Sequence, residues 1–259
     1  MTAKRLIFAS AAAALIAAAA FAWVEWRIST LTTKLTSLTG ATLTTTSVAE
    51  LGLDPRIDGT SPSRWQLALA LGAIDDALAA YPPDTFRQVP PGLAIAGELT
   101  ISGTRVGGTV QPPLWIILAT DYIVPGQHDG FVQRAFHHEY SSLLVASYPF
   151  PREQWSALLP ADVSFPTDDR DRLAAATTYA IDLQPYYKAG FVSDYGASSL
   201  ENDINTYAEL LLHAPEDLAR LARDHALIRQ KALLIRRYYE DIDPAFVSKF
   251  TAAGLGSVD

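Results

Sequence analysis

The run Phe136-His137-His138-Glu139-Tyr140-Ser141-Ser142 constrains the chain more than any other stretch. It lies inside a helical pattern spanning about residues 129–147, with Phe131, Ala135, Leu143 and Leu144 as the apolar stripe and Tyr148-Pro149-Phe150-Pro151 as the stop. Side chains three or four apart share a helix face, so His138 and position 142 form a pair and Glu139 points beside them. Two imidazoles at that spacing, with a carboxylate next to the first, grip zinc and activate a bound water. Here Ser142 occupies the second imidazole's place. Its hydroxyl has a shorter reach, and a neutral oxygen is a poor zinc donor. His137 projects about 100° away from His138. It either swings in as a ligand or hydrogen-bonds a carboxylate behind the site. The plain alternative is a pair of helix-face histidines with a surface glutamate.

A chain of 259 residues with 49% hydrophobic residues has room for one core-forming domain plus an N-terminal appendage. Its net charge of −8 argues against a nucleic-acid partner. No cysteine is present, which excludes disulfides and thiolate metal sites. Any metal must therefore be held by His, Asp, Glu or hydroxyl groups.

Lys4 and Arg5 precede an uncharged, mostly apolar run over residues 6–24, closed by Glu25 and Arg27. Residues 1–27 read as a signal peptide, with Ala20-Phe21-Ala22 as a small-x-small cleavage site, or as a retained membrane anchor. Both readings deliver the rest of the chain across a membrane, to the periplasm, the cell surface or the medium. Residues 28–60, rich in Thr and Ser, are expected to form a stalk or irregular segment, and residues 61–259 the globular domain.

Within that domain Ser61-Pro62-Ser63 predicts a helix start with Pro in the first turn, and Tyr81-Pro82-Pro83 its stop. Strands are expected over residues 93–101 and 114–119, separated by the glycine turns at 103 and 107–108. A linking region rich in Asp and Pro leads to residues 190–196. A further helix is expected from Ser199 to Leu212, then a last long one over about residues 216–239. The five tryptophans read as core anchors.

The helix beginning at Ser199 carries Glu201, Asp203 and Glu209, each a candidate carboxylate donor for a metal held with His138. Acids in the first turn behind a serine cap are also what a helix dipole favours in an ordinary helix. Tyr195, in the turn just before, could donate to an oxyanion or simply close a cleft. His128, His213 and His225 lack partners at ligand spacing and read as surface or capping residues, with His128 the best placed of them as a substitute ligand.

The order of these features resembles the zinc-binding metallopeptidases of bacterial exported proteins, a gluzincin-like group also similar to the catalytic domain of anthrax lethal factor. The resemblance covers roughly residues 64–212, from the helix ending Ala79-Ala80-Tyr81-Pro82-Pro83 through Leu114-Trp115-Ile116-Ile117-Leu118 and His137-His138-Glu139 to Tyr207-Ala208-Glu209. It implies a zincin-like α+β fold: a small mixed sheet on an active-site helix, with a mostly helical C-terminal half. It also implies a zinc cofactor and a peptide or protein substrate. His138 is then the first zinc ligand, Glu139 the general base and Tyr195 the tyrosine near the reacting carbonyl. The later ligand position falls on Asn205 or Asn202, neither an acid. Glu201 is then the expected carboxylate ligand, with His137 or Asp203 completing the shell. An inactive homologue acting as a binding module is the other expectation.

Overall fold

The structure, a computed structural model, describes residues 3–40, 42–44, 48–111, 115–121, 128–166 and 182–252. Part of the expected linking region (167–181), Gly126-Gln127 and Leu114 lie outside the described residues.

The chain begins with one unbroken helix, α1 (Ala3–Thr39). Residues 28–39, expected as stalk or irregular chain, continue this helix. Val24, Ile28 and Leu35 are buried and Leu31 partly so. Their spacing of four, three and four residues makes a stripe that covers the weak helix preference of the Thr/Ser composition. The stripe packs on α2 (Arg64–Leu78). There Arg27 Nε donates to the Ala68 carbonyl at 3.4 Å and Lys34 Nζ meets Asp75 at 2.6 Å. Gly72 permits the approach, because a Cβ there would collide with the Arg27 guanidinium.

Helix α2 starts where expected, but its cap is Ser63. The Ser63 hydroxyl accepts from the Gln66 amide while the Gln66 side chain accepts from the Ser63 amide, so Pro62 precedes the helix. A short α3 (Pro83–Gln88) follows, with Pro at its first position.

Two small sheets come next. The first has the order β1 (Leu43–Thr44), β3 (Gly92–Ala96), β7 (Trp115–Ala119), β6 (Gly108–Gln111), parallel except for β6 against β7. The second joins β2 (Ile57–Gly59), β4 (Leu99–Ile101) and β5 (Thr104–Arg105) in antiparallel order. The run expected as one strand over 93–101 is thus split between sheets. β3 and β7 are buried on both faces, hence their unbroken apolar sequences. Leu93, Ile95, Ile116 and Leu118 face the main helical core. Ala94, Ala96, Ile117 and Ala119 face a smaller cluster with Val48, Ile57 and Leu99.

Helix α4 (His128–Ser147) lies against α2 and the sheet, and α5 (Arg152–Ser156) buries Trp155. After α6 (Gln184–Lys188) comes α7 (Leu200–His213), capped by Ser199, whose hydroxyl accepts from the Asn202 amide. The expected last helix is two helices, α8 (Pro215–Asp224) and α9 (Ala226–Ile242), with a short α10 (Phe246–Phe250) behind. His225 is extended between them, and Arg229 donates to the Ala222 carbonyl at the break. Of the five tryptophans only Trp155 is a core anchor in full; Trp23, Trp26 and Trp65 are exposed.

The inner face of α7 is fixed by a fully buried ion pair. Asp203 Oδ2 receives Lys231 Nζ of α9 at 2.7 Å and Trp155 Nε1 at 2.7 Å. Lys231 also donates to the Gly190 carbonyl. Burial pushes the Asp203 pKa up and the Lys231 pKa down, against their mutual attraction. Removing one charge leaves the other stranded. Lys231→Met should therefore lower stability by about 3–5 kcal/mol in urea melts, and adding Asp203→Asn should recover part of that loss.

Candidate cleft between two antiparallel helices

Helices α4 and α7 run side by side in opposite directions, and two polar contacts fix their register. His138 Nδ1 lies 3.6 Å from Glu209 Oε2. One turn further along α4, and one turn back along α7, Asn205 Nδ2 donates to Ser142 Oγ at 2.7 Å. Ser142 Oγ donates in turn to Glu201 Oε1 at 3.0 Å. The 3.6-residue repeat turns Arg134, Ala135, His138, Glu139 and Ser142 toward one cleft, and α7 answers with Glu201, Asn202, Asn205, Thr206 and Glu209. The cleft has a volume of about 710 Å³, and its far wall is β6 with Gly107, Gly108, Thr109 and Val110.

The same repeat sends two expected ligands the other way. His137 is 1% exposed in the core, its Nδ1 3.0 Å from the Tyr81 hydroxyl among Phe136, Tyr140 and Phe246. Burial, with a lesser push from His213, lowers its pKa to about 3, so it is neutral and sits outside the cleft. Asp203 is spent on Lys231. His138, Glu139, Tyr195 and Glu201 do line the cleft together, although Glu201 meets Ser142 rather than His138. His213 ends α7 and its pKa is lowered by burial. His128 opens α4, and its side chain lies outside the described part of the structure.

Tyr195 is held by turn chemistry written in Ser193-Asp194-Tyr195-Gly196-Ala197-Ser198-Ser199. Asp194 Oδ1 accepts from the Tyr195 amide at 2.9 Å, Ser193 Oγ from the Gly196 amide at 3.0 Å, and Ser198 Oγ donates to the Tyr195 carbonyl at 2.6 Å. Gly196 is required, since a Cβ there would stand 2.7 Å from Thr206 Oγ1. The Tyr195 ring lies 5.3 Å from the His138 ring. Burial, then the charges of Glu139, Glu209 and Glu201, keeps its hydroxyl protonated. Asn202 lines the same cleft, helps to raise the His138 pKa and opposes the rise at Tyr195, and its Nδ2 donates to Ser198 Oγ at 2.8 Å.

The electrostatics are those of crowded carboxylates around one imidazole. Burial alone would lower the His138 pKa, but Glu209, Glu139 and Asn202 together carry it above its ordinary value. Glu139 is raised to about 7: burial dominates, the charges of Glu201 and Glu209 add, and His138 opposes. Its carboxylate lies against β6, where a Cβ on Gly108 would stand 2.9 Å from Oε1. Arg134 Nε contacts Glu209 at 3.2 Å, so Glu209 bridges a guanidinium and the imidazole. Glu209 and Asn202 are the residues of this site that motif spacing ranked too low. The pairing of 138 with 209 and 142 with 205 becomes readable only once the helices are known to be antiparallel.

The donors do not fit a zinc ion. Where a second imidazole is needed, Ser142 is bonded to Asn205, and both are neutral oxygen or amide donors. Among the described residues no group of three or more His, Cys, Asp or Glu is arranged to hold a metal.

Glu139 gives the cleft a pH signature. Its folded pKa lies above its ordinary 4.5, so the unfolded chain releases this proton first as pH rises. Stability is thus full below 4.5 and declines until pH about 7. Glu139→Gln should match the wild type in acid and exceed it above neutrality, read as urea midpoints across that window.

No family model matches the chain, and no curated protein matches it either. Its fold is similar to the crystal structure of a "putative zinc-binding metallo-peptidase" from Bacteroides caccae, at 18% identity and a TM-score of 0.56, over 90% of this chain and 92% of that one. The chain thus has the α+β architecture expected, a small mixed sheet over a site helix with a largely helical remainder, and shares its layout with that structure.

Proposed function

We propose that this chain is a zincin-fold binding module whose cleft takes an extended peptide without zinc-dependent turnover, outside the cytoplasm. One observation carries the reading: Asn205 Nδ2 donates to Ser142 Oγ at 2.7 Å in the place where the helix pair would otherwise offer metal ligands, while Asn205 Oδ1 stays buried without a partner. The peptide class of ligand is supported by β6. This strand edges its sheet, pairs among the described residues only with β7, and lines the cleft through Gly108, Thr109 and Val110. A free strand edge beside a cleft accepts an extended chain by backbone hydrogen bonding. The carboxylates of Glu139, Glu201 and Glu209 favour basic side chains on that chain. The Bacteroides caccae protein is described as a peptidase, which agrees with this class of ligand.

A zinc peptidase with Glu139 as general base is the second reading. It is favoured by the contact of His138 with Glu209 and by a Glu139 pKa of about 7, suited to proton transfer.

Metal analysis after dialysis against micromolar zinc separates the two. We expect no stoichiometric zinc on the wild type and its appearance on Ser142→His/Asn205→Glu, which restores nitrogen and carboxylate donors. Titration with a library of extended basic peptides should show binding that Gly108→Val abolishes and Glu139→Gln weakens. Stoichiometric wild-type zinc that disappears in His138→Ala, together with peptide hydrolysis lost in Glu139→Gln, would establish the second reading instead.

A further inference from the structure

We propose that α1 is a retained membrane anchor and that Trp23, Trp26 and Trp65 form a collar seating the domain directly on the bilayer surface. Burial along α1 changes abruptly at Val24. From there on the helix has one face in the core: Val24, Ile28, Leu31 and Leu35. Residues 12–23 are exposed on every side, and residues 12–22 are Ala, Leu, Ile and Phe alone. A helix apolar around its whole circumference needs apolar surroundings around its whole circumference. At ~1.5 Å per residue, the uncharged stretch over residues 6–23 is about 27 Å long, close to the thickness of a bilayer's hydrocarbon layer. A second copy of the chain would cover one face of α1 and leave the rest wet, so the bilayer is the occupant that fits.

The collar is a separate observation. Trp23 is 42% exposed, Trp26 63% and Trp65 55%, in a fold that buries Trp155 completely. Trp23 and Trp65 come from different helices, yet their rings lie 6.0 Å apart. The Arg27 guanidinium stacks 5.4 Å from the Trp23 ring, and Arg64 pairs with Glu25 beside it. The aromatic and charged groups therefore gather at the level where the bare apolar helix meets the domain. Indole rings prefer that depth of a membrane, where an apolar body and a wet N–H are both satisfied. Because α1 runs unbroken from the apolar stretch into the core, no flexible linker separates them, and the domain stands at a fixed height on the membrane.

The test reconstitutes the full chain in phosphatidylcholine vesicles whose acyl chains carry bromine near the headgroup, and reads tryptophan emission. Strong quenching is expected. Trp23→Phe/Trp26→Phe/Trp65→Phe should lose most of that quenching while emission from the buried Trp155 persists. The replaced side chains are exposed, so far-UV circular dichroism of the variant should match the wild type. Mass spectrometry of chain extracted from membranes should find residues 4–22 still attached. A mature chain lacking those residues overturns the proposal, as does emission that bromine does not reach, including emission shielded in a cross-linkable α1 pair.

Discussion

The cleft exists because α4 and α7 meet along a seam that is polar on one side and apolar on the other. On the apolar side Phe136, Tyr140, Ile204, Tyr207 and Leu211 are buried together in the main core. On the polar side the Ser142–Asn205 bond and the His138–Glu209 contact set which turn faces which. A slip of one residue would rotate each helix by about 100° and carry His138 or Asn205 into the core. The buried Asp203–Lys231 pair makes such a slip expensive, because it fixes the opposite side of α7 and could not be moved without stranding both charges. The cleft's polar face is thus held from behind.

Much of this was legible in the sequence, and the failures have a common cause. The serine cap of α7, the start of α2 (though with Pro62 before the helix rather than in its first turn), the β3 and β7 strands and the extent of α4 follow from local chemistry, which the residues state directly. His137 and Asp203 were expected as ligands, but the face a helical residue presents is decided by the elements packed on it. His137 lies one position from His138 yet belongs to the Tyr81 side. Asp203 lies two positions from Glu201 and belongs to Lys231 of a helix far along the chain. The Thr/Ser composition of residues 28–39 concealed a helix whose burial stripe is regular once α2 is placed against it. His225 breaks the last long helix without the glycine or proline that would announce a break.

An 18% identity preserves the layout of sheet and helices over nine-tenths of both chains. That layout places His138, Glu139, Tyr195 and Glu209 around one cavity. The arrangement of the scaffold therefore says little by itself about turnover.

The side chains at 142 and 205 explain why the seam is stable as it stands. A helix pair carrying imidazole at 142 and carboxylate at 205 would hold a further buried negative charge beside Glu139, Glu201 and Glu209, and only a cation could offset it. Burial and neighbouring charge already push Glu139 to about 7. One more carboxylate would drive the group higher or part the helices. Serine and asparagine avoid that cost: Asn205 donates to Ser142, Ser142 donates to Glu201, and the chain ends on a carboxylate at the cleft surface. Neutral groups at 142 and 205 thus add no further charge to a cavity that already gathers Glu139, Glu201, Glu209 and His138.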